Sequence, residues 1–488
     1  MRDKNMQKRD IVFAGIAAVL FVLIFSFSTS PLYVDYWGSD SAQFQTIGMA
    51  WASGKVPYRD IFDHKGPFIF WVNMIGYKLG GRTGVLTVQI FFLFFTFLGI
   101  YKTITIVSRN ECYKQVGMLV SILLLANMYS GGNMCEEYCL PFLVFSAFGQ
   151  YTFWFQKNNS PQHNIWWGFF YGISVSICVL TRATNAIAVL CGIVVIGITL
   201  LREKKYKNLL FNAIFFVMGL LLMFVTFGIY FGLKGAFGEF LFGTLGYNMI
   251  YATDMKAWVI GAGLETWSVY IQLFFSVILC IPAFIAAIIN KNKGCAAYYL
   301  LVGIMENYLF CTGALYQHYA IIALPNVCMF IAELAQMIQN NKKQYRNLTK
   351  ILWIAVGVIS VVYIGMDTGN KVVERLDKSK GITLEYDQLM EMIPAKEYAD
   401  VAAYGGGSLK SFYLRYNIVP CNKFFVLQES QGKRSSYLTD QIALEFALCR
   451  AKFILTDENV SIIYSTLQEH YVKFSETQKY ALYKRIDD

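Results

Sequence analysis

One stretch of the chain, residues 35–67, combines acids, a histidine and a lysine in a sequence that is otherwise poor in charge. A carboxylate can take the proton from an attacking hydroxyl, and a lysine can stabilise the negative charge that builds on a leaving phosphate. Asp40 and Lys65 are therefore the pair best suited to group transfer. The alternative is a loop that is merely solvated. The stretch holds Asp35, Asp40, Asp60, Asp63, His64 and Lys65.

Short local elements must position these groups. Asp40 opens the amphipathic sequence SAQFQTIGMAWASG, which predicts a helix with the carboxylate at its N-terminus, where the helix dipole favours negative charge. Lys65 precedes Gly66-Pro67, a turn that directs the chain back toward the bilayer. Asp60 and Asp63 are expected mainly as hydrogen-bond acceptors that shape the loop, with His64 beside them.

The composition indicates an integral membrane protein. Hydrophobic residues make up 56% of the chain and charged residues 15%, well below the ~25% charge of soluble domains. Runs such as residues 11–28 and 209–233 are long enough to cross a bilayer. The first is expected to be a retained helix, since no cleavage site follows it. The net charge of +10 lies before residue 371 and follows the positive-inside rule, which argues against a nucleic-acid partner.

The apolar runs predict a polytopic α-helical protein with about eleven transmembrane helices. With a cytoplasmic N-terminus, an odd number places the C-terminal region outside, together with two long segments, 30–83 and 233–265. Residues 68–81 are apolar but too short to cross, so they are expected along the interface or re-entering. The predicted helices are 11–29, 84–107, 115–130, 137–155, 164–182, 184–201, 208–232, 266–289, 295–312, 318–338 and 350–367.

The predicted boundary separates a membrane part, 1–367, from a small extracytoplasmic α/β domain, 368–488. In the tail, short apolar runs at 400–406, 422–428 and 451–457 alternate with a helical stretch at 435–451. The Gly-rich segment 403–407 has no Walker lysine and is assigned to a strand-end turn. Cys421 and Cys449 both lie in this tail, where an outward location would permit a disulfide.

Four further charged residues are candidates beside simpler interpretations. Glu136 and Glu137 begin a helix on the outside, where acids also favour the helix dipole. Arg182 lies at an outer helix end, where snorkelling competes with phosphate binding. Glu306 falls inside a predicted span, and an intramembrane carboxylate is a functional candidate by default. The sequence names no partner for Glu306.

Aromatic residues at outer helix ends and loops add a second group of candidates. His318 and Tyr319 begin an outer helix end, where helix capping or interfacial anchoring competes with acceptor contact. Trp37, Trp51 and Tyr58 lie in the first outward loop and could stack on sugar rings, although interface anchoring also accounts for them.

The first outward loop resembles that of GT-C membrane glycosyltransferases, which include protein O-mannosyltransferase and aminoarabinose transferase relatives. The resemblance rests on Asp40-Ser41 followed by GKVPYRDIFDHKGP (54–67). Weaker similarities are NMCEEY (133–138), Leu180-Thr181-Arg182 and YQHYAIIALP (316–325). The resemblance extends over roughly residues 1–340.

The resemblance implies transfer of a sugar from a polyprenyl-phosphate donor, at the outer face, by an inverting displacement without a nucleotide. Asp40 matches the family's catalytic carboxylate, and Lys65 matches a lysine expected near the lipid phosphate. Many relatives have Asp-Glu where this chain has Asp40-Ser41. The role of a second acid and of a divalent metal therefore stays open, and no metal ligands are assigned.

These observations favour a glycosyltransferase of a bacterial plasma membrane that modifies a cell-surface glycan or a lipid-linked saccharide. Two alternatives remain. One is a transporter or flippase of lipid-linked or polar solutes, which would place ionisable groups near the midplane. The other is a ligase or polymerase that moves whole oligosaccharides. The expected partners of the glycosyltransferase are membrane lipid, a lipid-linked sugar donor and a saccharide or lipid acceptor.

Overall fold

The computed structural model is mainly helical, with one small sheet near the C-terminus. Its residues group into two compact units. The helical unit comprises Met1–Ser26, Gln89–Phe227 and Met255–Glu374, and the mixed unit comprises Phe27–Val88, Gly228–Asp254 and Arg375–Asp488. The predicted boundary after residue 367 stays a prediction. The structure describes residues 2–34, 36–38, 40–107, 111–155, 161–254, 279–312, 316–340, 358, 365–378, 384–457 and 460–486.

Long apolar sequences form helices because a helix satisfies every backbone polar group within the segment, as a lipid environment demands. Short 3-10 segments at Ala183–Ala186 and Gln317–Ala323 precede two of the helices, and a π segment lies at Phe242–Gly246. The helices are α1 Arg2–Phe25, α2 Asp40–Ala52, α3 Pro67–Val107, α4 Glu111–Met128, α5 Cys135–Trp154, α6 Ile165–Val179, α7 Ile187–Arg202, α8 Tyr206–Leu233, α9 Phe237–Leu241, α10 Tyr247–Asp254, α11 Leu279–Ile289, α12 Lys293–Thr312, α13 Leu324–Asn340 and α14 Gly365–Lys378.

The predicted spans overlap described helices in position, but their number differs from the number of described helices that are long enough to cross a membrane. Within the described ranges, four segments are long and apolar enough to cross a membrane: Pro67–Ile106, Ala183–Arg202, Tyr206–Leu233 and Lys293–Cys311. The predicted count of eleven is not confirmed and stays a prediction. Most of the predicted helix 350–367, and the first part of 266–289, lie outside the described residues.

The segment 68–81 is separate from the helix that follows it, as the sequence predicted. Non-helical backbone at Gly80 and Gly81 divides α3 into two helices. Gly81 has φ 62° and ψ −133°, a conformation that L side chains rarely adopt. Beyond the kink, a Cβ built on Gly84 would lie 1.9 Å from the carbonyl oxygen of Gly76. The two parts of α3 therefore touch through backbone.

This contact predicts that Gly84→Ala is destabilising, because the methyl group would have to displace backbone rather than a flexible side chain. Overpacking of this kind costs about 1–3 kcal/mol. The matched control is Gly232→Ala in α8, where a Cβ meets no heavy atom within 4 Å. Thermal unfolding in detergent should show a lower midpoint for the Gly84 variant and an unchanged or higher one for the Gly232 variant. Equal midpoints for the two variants would contradict the packing argument.

The C-terminal region contains the α/β layer expected from its alternating pattern. Four strands form a sheet in the order β1-β2-β4-β3, with β1 and β2 parallel and the other pairs antiparallel. The elements are α15 Glu385–Glu391, β1 Val401–Ala403, α16 Phe412–Arg415, α17 Gln428–Gly432, α18 Ser436–Ala447, β2 Phe453–Thr456, α19 Tyr464–His470, β3 Tyr471–Glu476 and β4 Ala481–Arg485, with 3-10 segments at Ala395–Asp400 and Gly407–Leu409.

The strands predicted around 400–406 and 451–457 are confirmed as β1 and β2, and the strand predicted at 422–428 is wrong. Phe424, Phe425 and Val426 are buried as in a core strand, but Leu427 turns into the left-handed region at φ 74°. Their side chains fill the core from a loop. Cys421 and Cys449 are both free thiols, so the disulfide that an outward location would permit is not formed.

The core of the mixed unit draws on distant parts of the sequence. Phe62 and Tyr247 belong to the same buried cluster as Tyr404, Phe424 and Ile454. The backbone N–H of Phe62 donates to the carbonyl of Lys423 at 3.0 Å. The first loop is thereby an internal part of the unit that carries the sheet.

Candidate functional site

Asp40 is the first residue of α2, as the sequence predicted. Its side chain is 38% exposed, and one carboxylate oxygen lies 3.4 Å from the Nζ of Lys410. The helix N-terminus and this ammonium group both favour a negatively charged carboxylate. The predicted amphipathic character of α2 is wrong: every residue from Ser41 to Trp51 is buried. Asp40 is thus a partly open group at the end of a fully packed helix.

Acidic side chains within the loop after α2 accept hydrogen bonds from the backbone of the same loop and hold it in place. Asp60 accepts a hydrogen bond from the backbone of Val56 at 2.8 Å and pairs with Arg59, and the bond from Arg59 lowers the pKa of Asp60. Asp63 accepts from the backbone N–H of Lys65 at 3.0 Å. The carbonyl of Lys65 accepts from the hydroxyl of Tyr58 at 2.7 Å. The backbone of Lys65 is therefore held on both sides just before α3 begins.

His64 lies in the interior of the mixed unit. Its Nδ1 is 3.3 Å from a carboxylate oxygen of Asp63 and 3.2 Å from the side-chain nitrogen of Gln431. The rings of Tyr247 and Tyr251 pack against it at 5.3 and 5.2 Å between centroids. Burial lowers the pKa of His64, and the hydrogen bond with Asp63 opposes that shift. These contacts hold the segment 54–67, which we call the motif loop, against the rest of the mixed unit.

The lowered pKa of His64 predicts a loss of stability in acid. In the unfolded chain the imidazole titrates near pH 6.5, whereas in the folded protein it takes up its proton only at lower pH. Between the two values the unfolded state binds more protons, so the free energy of unfolding falls as the pH drops below about 6.5. Each pH unit of separation is worth about 1.4 kcal/mol.

Replacing His64 by Gln should flatten this dependence between pH 7 and pH 5, measured by thermal unfolding at several pH values. His470→Gln is the matched control, since the His470 side chain is 48% exposed. A His64→Gln variant with the same acid sensitivity as the wild type would contradict the assignment.

The helical unit contains a second group of candidate residues. Arg182 Nη1 donates to Glu136 Oε1 at 3.0 Å, and the Arg182 guanidinium lies 3.2 Å from the centre of the Tyr319 ring. Glu136 is 2% exposed and Arg182 20% exposed in their side chains. Three residues that the sequence placed at separate helix ends therefore meet in one cluster.

Glu137 and His318, two further candidates near this cluster, have different surroundings. Glu137 turns into the core, where it accepts hydrogen bonds from the backbone of Asn133 at 2.7 Å, from Gln89 at 3.1 Å and from the Tyr129 hydroxyl. His318 stacks on Tyr316 with ring centres 5.7 Å apart. Glu137 thus stabilises the unit from within, and His318 belongs to the aromatic surroundings of the Arg182 cluster.

Glu306, which had no partner in the sequence, is fully buried in the helical unit. Asn326 donates to its carboxylate at 2.7 Å, and Tyr298 donates to the side-chain oxygen of Asn326 at the same distance. This chain joins α12 to α13. The second carboxylate oxygen of Glu306 is buried with no hydrogen-bond partner among the described residues.

Lys410 is the residue that sequence reasoning missed. It follows the 3-10 segment Gly407–Leu409, more than 300 positions after Asp40. Its only local signal is the Gly-rich turn before it, and that turn is occupied by Asp457, which accepts from the backbone of Ser408 at 3.2 Å. Among the described residues, no group of three or more His, Cys, Asp or Glu side chains is placed to hold a metal ion.

The fold defined by these elements is similar to that of two solved proteins, ArnT and an archaeal oligosaccharyltransferase. ArnT from Cupriavidus metallidurans in the apo state matches with a TM-score of 0.59 at 13% identity, over 97% of each chain. The same protein bound to undecaprenyl phosphate matches with a TM-score of 0.55, 13% identity and the same coverage. The Archaeoglobus fulgidus oligosaccharyltransferase tethered to an acceptor peptide matches with a TM-score of 0.52 at 13% identity, over 95% of this chain and 72% of that chain.

Residues 4–364 match the family described as "Putative competence-induced protein Ccs4 N-terminal domain". Because the match covers most of the sequence, the chain belongs to this family. No curated protein sequence matches it.

Proposed function

We propose that the chain is a membrane glycosyltransferase that moves a sugar from a polyprenyl-phosphate donor to a cell-surface glycan or lipid-linked acceptor. The observation that carries this proposal is Asp40: a partly exposed carboxylate at the first position of a buried helix, inside a GT-C fold. The similarity to a protein bound to undecaprenyl phosphate supports a donor of the same kind.

In the proposed reaction Asp40 acts as the general base. An acceptor hydroxyl attacks the anomeric carbon from the face opposite the donor phosphate, and its proton passes to the Asp40 carboxylate. The new bond joins the acceptor oxygen to the anomeric carbon, and the bond from that carbon to the phosphate oxygen breaks. The configuration inverts, and polyprenyl phosphate leaves with the electron pair.

The leaving phosphate needs positive charge, which we assign to Lys65 and Arg182. The backbone of Lys65 is fixed by Asp63 and Tyr58, so the lysine is carried by a preorganised turn. Arg182 donates one N–H hydrogen bond to Glu136, and a guanidinium carries five N–H donors. Its pairing with Glu136 orients the group and leaves further N–H donors for phosphate oxygens.

The surrounding assignments follow the same scheme. Asp60, Asp63 and His64 shape the motif loop, and Glu136, Tyr319 and His318 support Arg182 or contact the acceptor. The protein would lie in a bacterial plasma membrane, with the N-terminus cytoplasmic and residues 368–488 outside. A divalent metal enters no step of this scheme.

The direct test is to purify the full-length protein and identify its bound lipid by mass spectrometry, because the head group names the donor. Proteoliposomes supplied with that lipid and a cell-envelope glycan extract should then yield a glycosylated acceptor and free polyprenyl phosphate. Movement of the lipid across the bilayer without any glycosyl product would favour the flippase alternative. Transfer of a preassembled oligosaccharide from a pyrophosphate-linked lipid would favour the ligase alternative.

A further inference from the structure

Two cavities lie inside the mixed unit, and neither is lined by Asp40 or Lys65. The first, which we call the aromatic cavity, has a volume of about 240 Å³. Glu239, Lys423 and Gln441 supply its polar groups. An aromatic wall with a carboxylate and an amide beside it is the combination that suits a sugar ring, which offers an apolar face and hydroxyl groups at its rim. Its aromatic residues are Tyr58, Phe62, Phe242, Phe424 and Tyr437.

Part of the wall of the aromatic cavity comes from an irregular helical segment. Phe242 begins the π segment Phe242–Gly246, and π segments occur frequently at functional sites. The Phe242 ring meets Tyr437 edge-on with centres 4.8 Å apart, and Tyr437 is 52% exposed. A large aromatic ring therefore stands open to solvent at the rim of the cavity.

The second cavity, which we call the basic cavity, has a volume of about 520 Å³. Four basic side chains line it against two acidic ones, an excess of two positive charges. Asp60 is engaged by Arg59 at 2.8 Å and Glu445 by Arg450 at 3.0 Å. The charged lining residues are Lys55, Arg59, Lys423, Arg450, Asp60 and Glu445.

Lys55 and Lys423 account for the excess charge. The Nζ of Lys55 donates to the carbonyl of Pro420, which carries no charge. Within the described part of the chain, neither lysine forms an ion pair, and burial lowers the pKa of both. A bound anion would relieve the cost of these desolvated ammonium groups. Lys423 lines both cavities, so a single ligand can reach from one into the other.

The cavities are offset from Asp40 along α2. That helix runs from Asp40 to Ala52, and the basic cavity begins at Ser53. Thirteen residues of α-helix rise by about 20 Å. A single sugar ring cannot span this distance. Tyr58 connects the aromatic cavity to the turn that carries Lys65, since its ring lines the cavity while its hydroxyl donates to the carbonyl of Lys65.

We propose that these adjoining cavities form a distal acceptor subsite for an anionic saccharide, with a sugar ring in the aromatic cavity and its phosphate or carboxylate in the basic cavity. This inference rests on the proposed function, because it makes the ligand part of the acceptor. The acceptor is then a chain of several sugar units that carries an anionic group away from the hydroxyl to be glycosylated.

The test measures binding without a donor, so that it does not depend on transfer. Full-length protein in detergent is titrated with glucose, mannose, their 6-phosphates, glucuronic acid and inorganic phosphate, followed by ligand-observed NMR. We expect the anionic sugars to bind at least tenfold tighter than the neutral ones and tighter than phosphate alone. The preference should weaken as salt is raised. Comparison of the 6-phosphates with glucuronic acid distinguishes the two anionic groups.

Variants separate the two cavities. Lys423→Gln and Arg450→Gln should each weaken binding of the preferred anionic sugar about tenfold and leave neutral sugars unchanged, whereas Tyr437→Ala should weaken both. Lys479→Gln is the charge-matched control, because the Lys479 side chain is 71% exposed and lines neither cavity.

Equal binding of neutral and anionic sugars, no binding of any anionic sugar, or an equal effect of Lys479→Gln would overturn the subsite. Asp40→Asn should bind the sugars normally. Failure of the wild type to transfer sugar, with anionic binding intact, would instead count against the glycosyltransferase and leave an anionic-saccharide binding site.

Discussion

Asp40→Asn should abolish sugar transfer while the protein continues to fold and insert. The amide keeps the shape of the side chain, but it cannot take the proton from the acceptor hydroxyl. Loss of a general base typically costs 10²–10⁴-fold in rate. The measurement is release of polyprenyl phosphate by the full-length protein in proteoliposomes, with thermal unfolding recorded on the same samples.

Two companion variants sharpen this test. Asp440→Asn removes an exposed carboxylate of the same unit from α18 and should leave the rate unchanged. Lys410→Gln removes the ammonium group 3.4 Å from Asp40 and should lower the rate less than loss of Asp40 itself. Transfer at the wild-type rate by Asp40→Asn would remove Asp40 from the mechanism.

Arg182→Gln should reduce both transfer and stability. Glu136 is 2% exposed in its side chain, so loss of the guanidinium leaves a buried carboxylate without its cation. Breaking a buried pair in this way costs about 3–5 kcal/mol. If Arg182 also holds the donor phosphate, the rate should fall about 100-fold. The two effects are read separately, by thermal unfolding and by initial rates at saturating and limiting donor.

The double variant Glu136→Gln/Arg182→Gln distinguishes the two roles. Two amides can hydrogen-bond to each other, so most of the lost stability should return because no buried charge remains. Transfer should stay low, since the positive charge offered to the phosphate is still missing. Recovery of both properties together would make Arg182 a structural residue only.

The sequence predicted what depends on local pattern. The helix at Asp40 and the turn at Gly66-Pro67 could be located because capping residues and proline act over a few positions. The long apolar runs placed α6, α7 and α8 within a few residues. The strands β1 and β2 were found for the same reason.

What the sequence could not predict depends on contacts between distant positions. Lys410 reaches Asp40, and Tyr319 reaches Arg182, across separations that no local pattern encodes. The segment 422–428 was mistaken for a strand because buried loop residues and buried strand residues share one composition. Strands β3 and β4 were missed because charged or polar residues interrupt the apolar ones in each strand.

The composition of the mixed-unit core has a consequence for synthesis. Phe62 shares this core with Phe424, 362 residues further along the chain. At translation rates of roughly 5–20 residues per second, the first loop waits about 20–70 seconds for its packing partners to be made. During that interval Phe62, and later also Tyr247 once it is made, lacks the cover that residues 402–471 supply. The newly made loop is therefore a natural substrate for chaperones and proteases. For the same reason, residues 368–488 expressed alone would have a core that lacks the side chains of Phe62 and Tyr247.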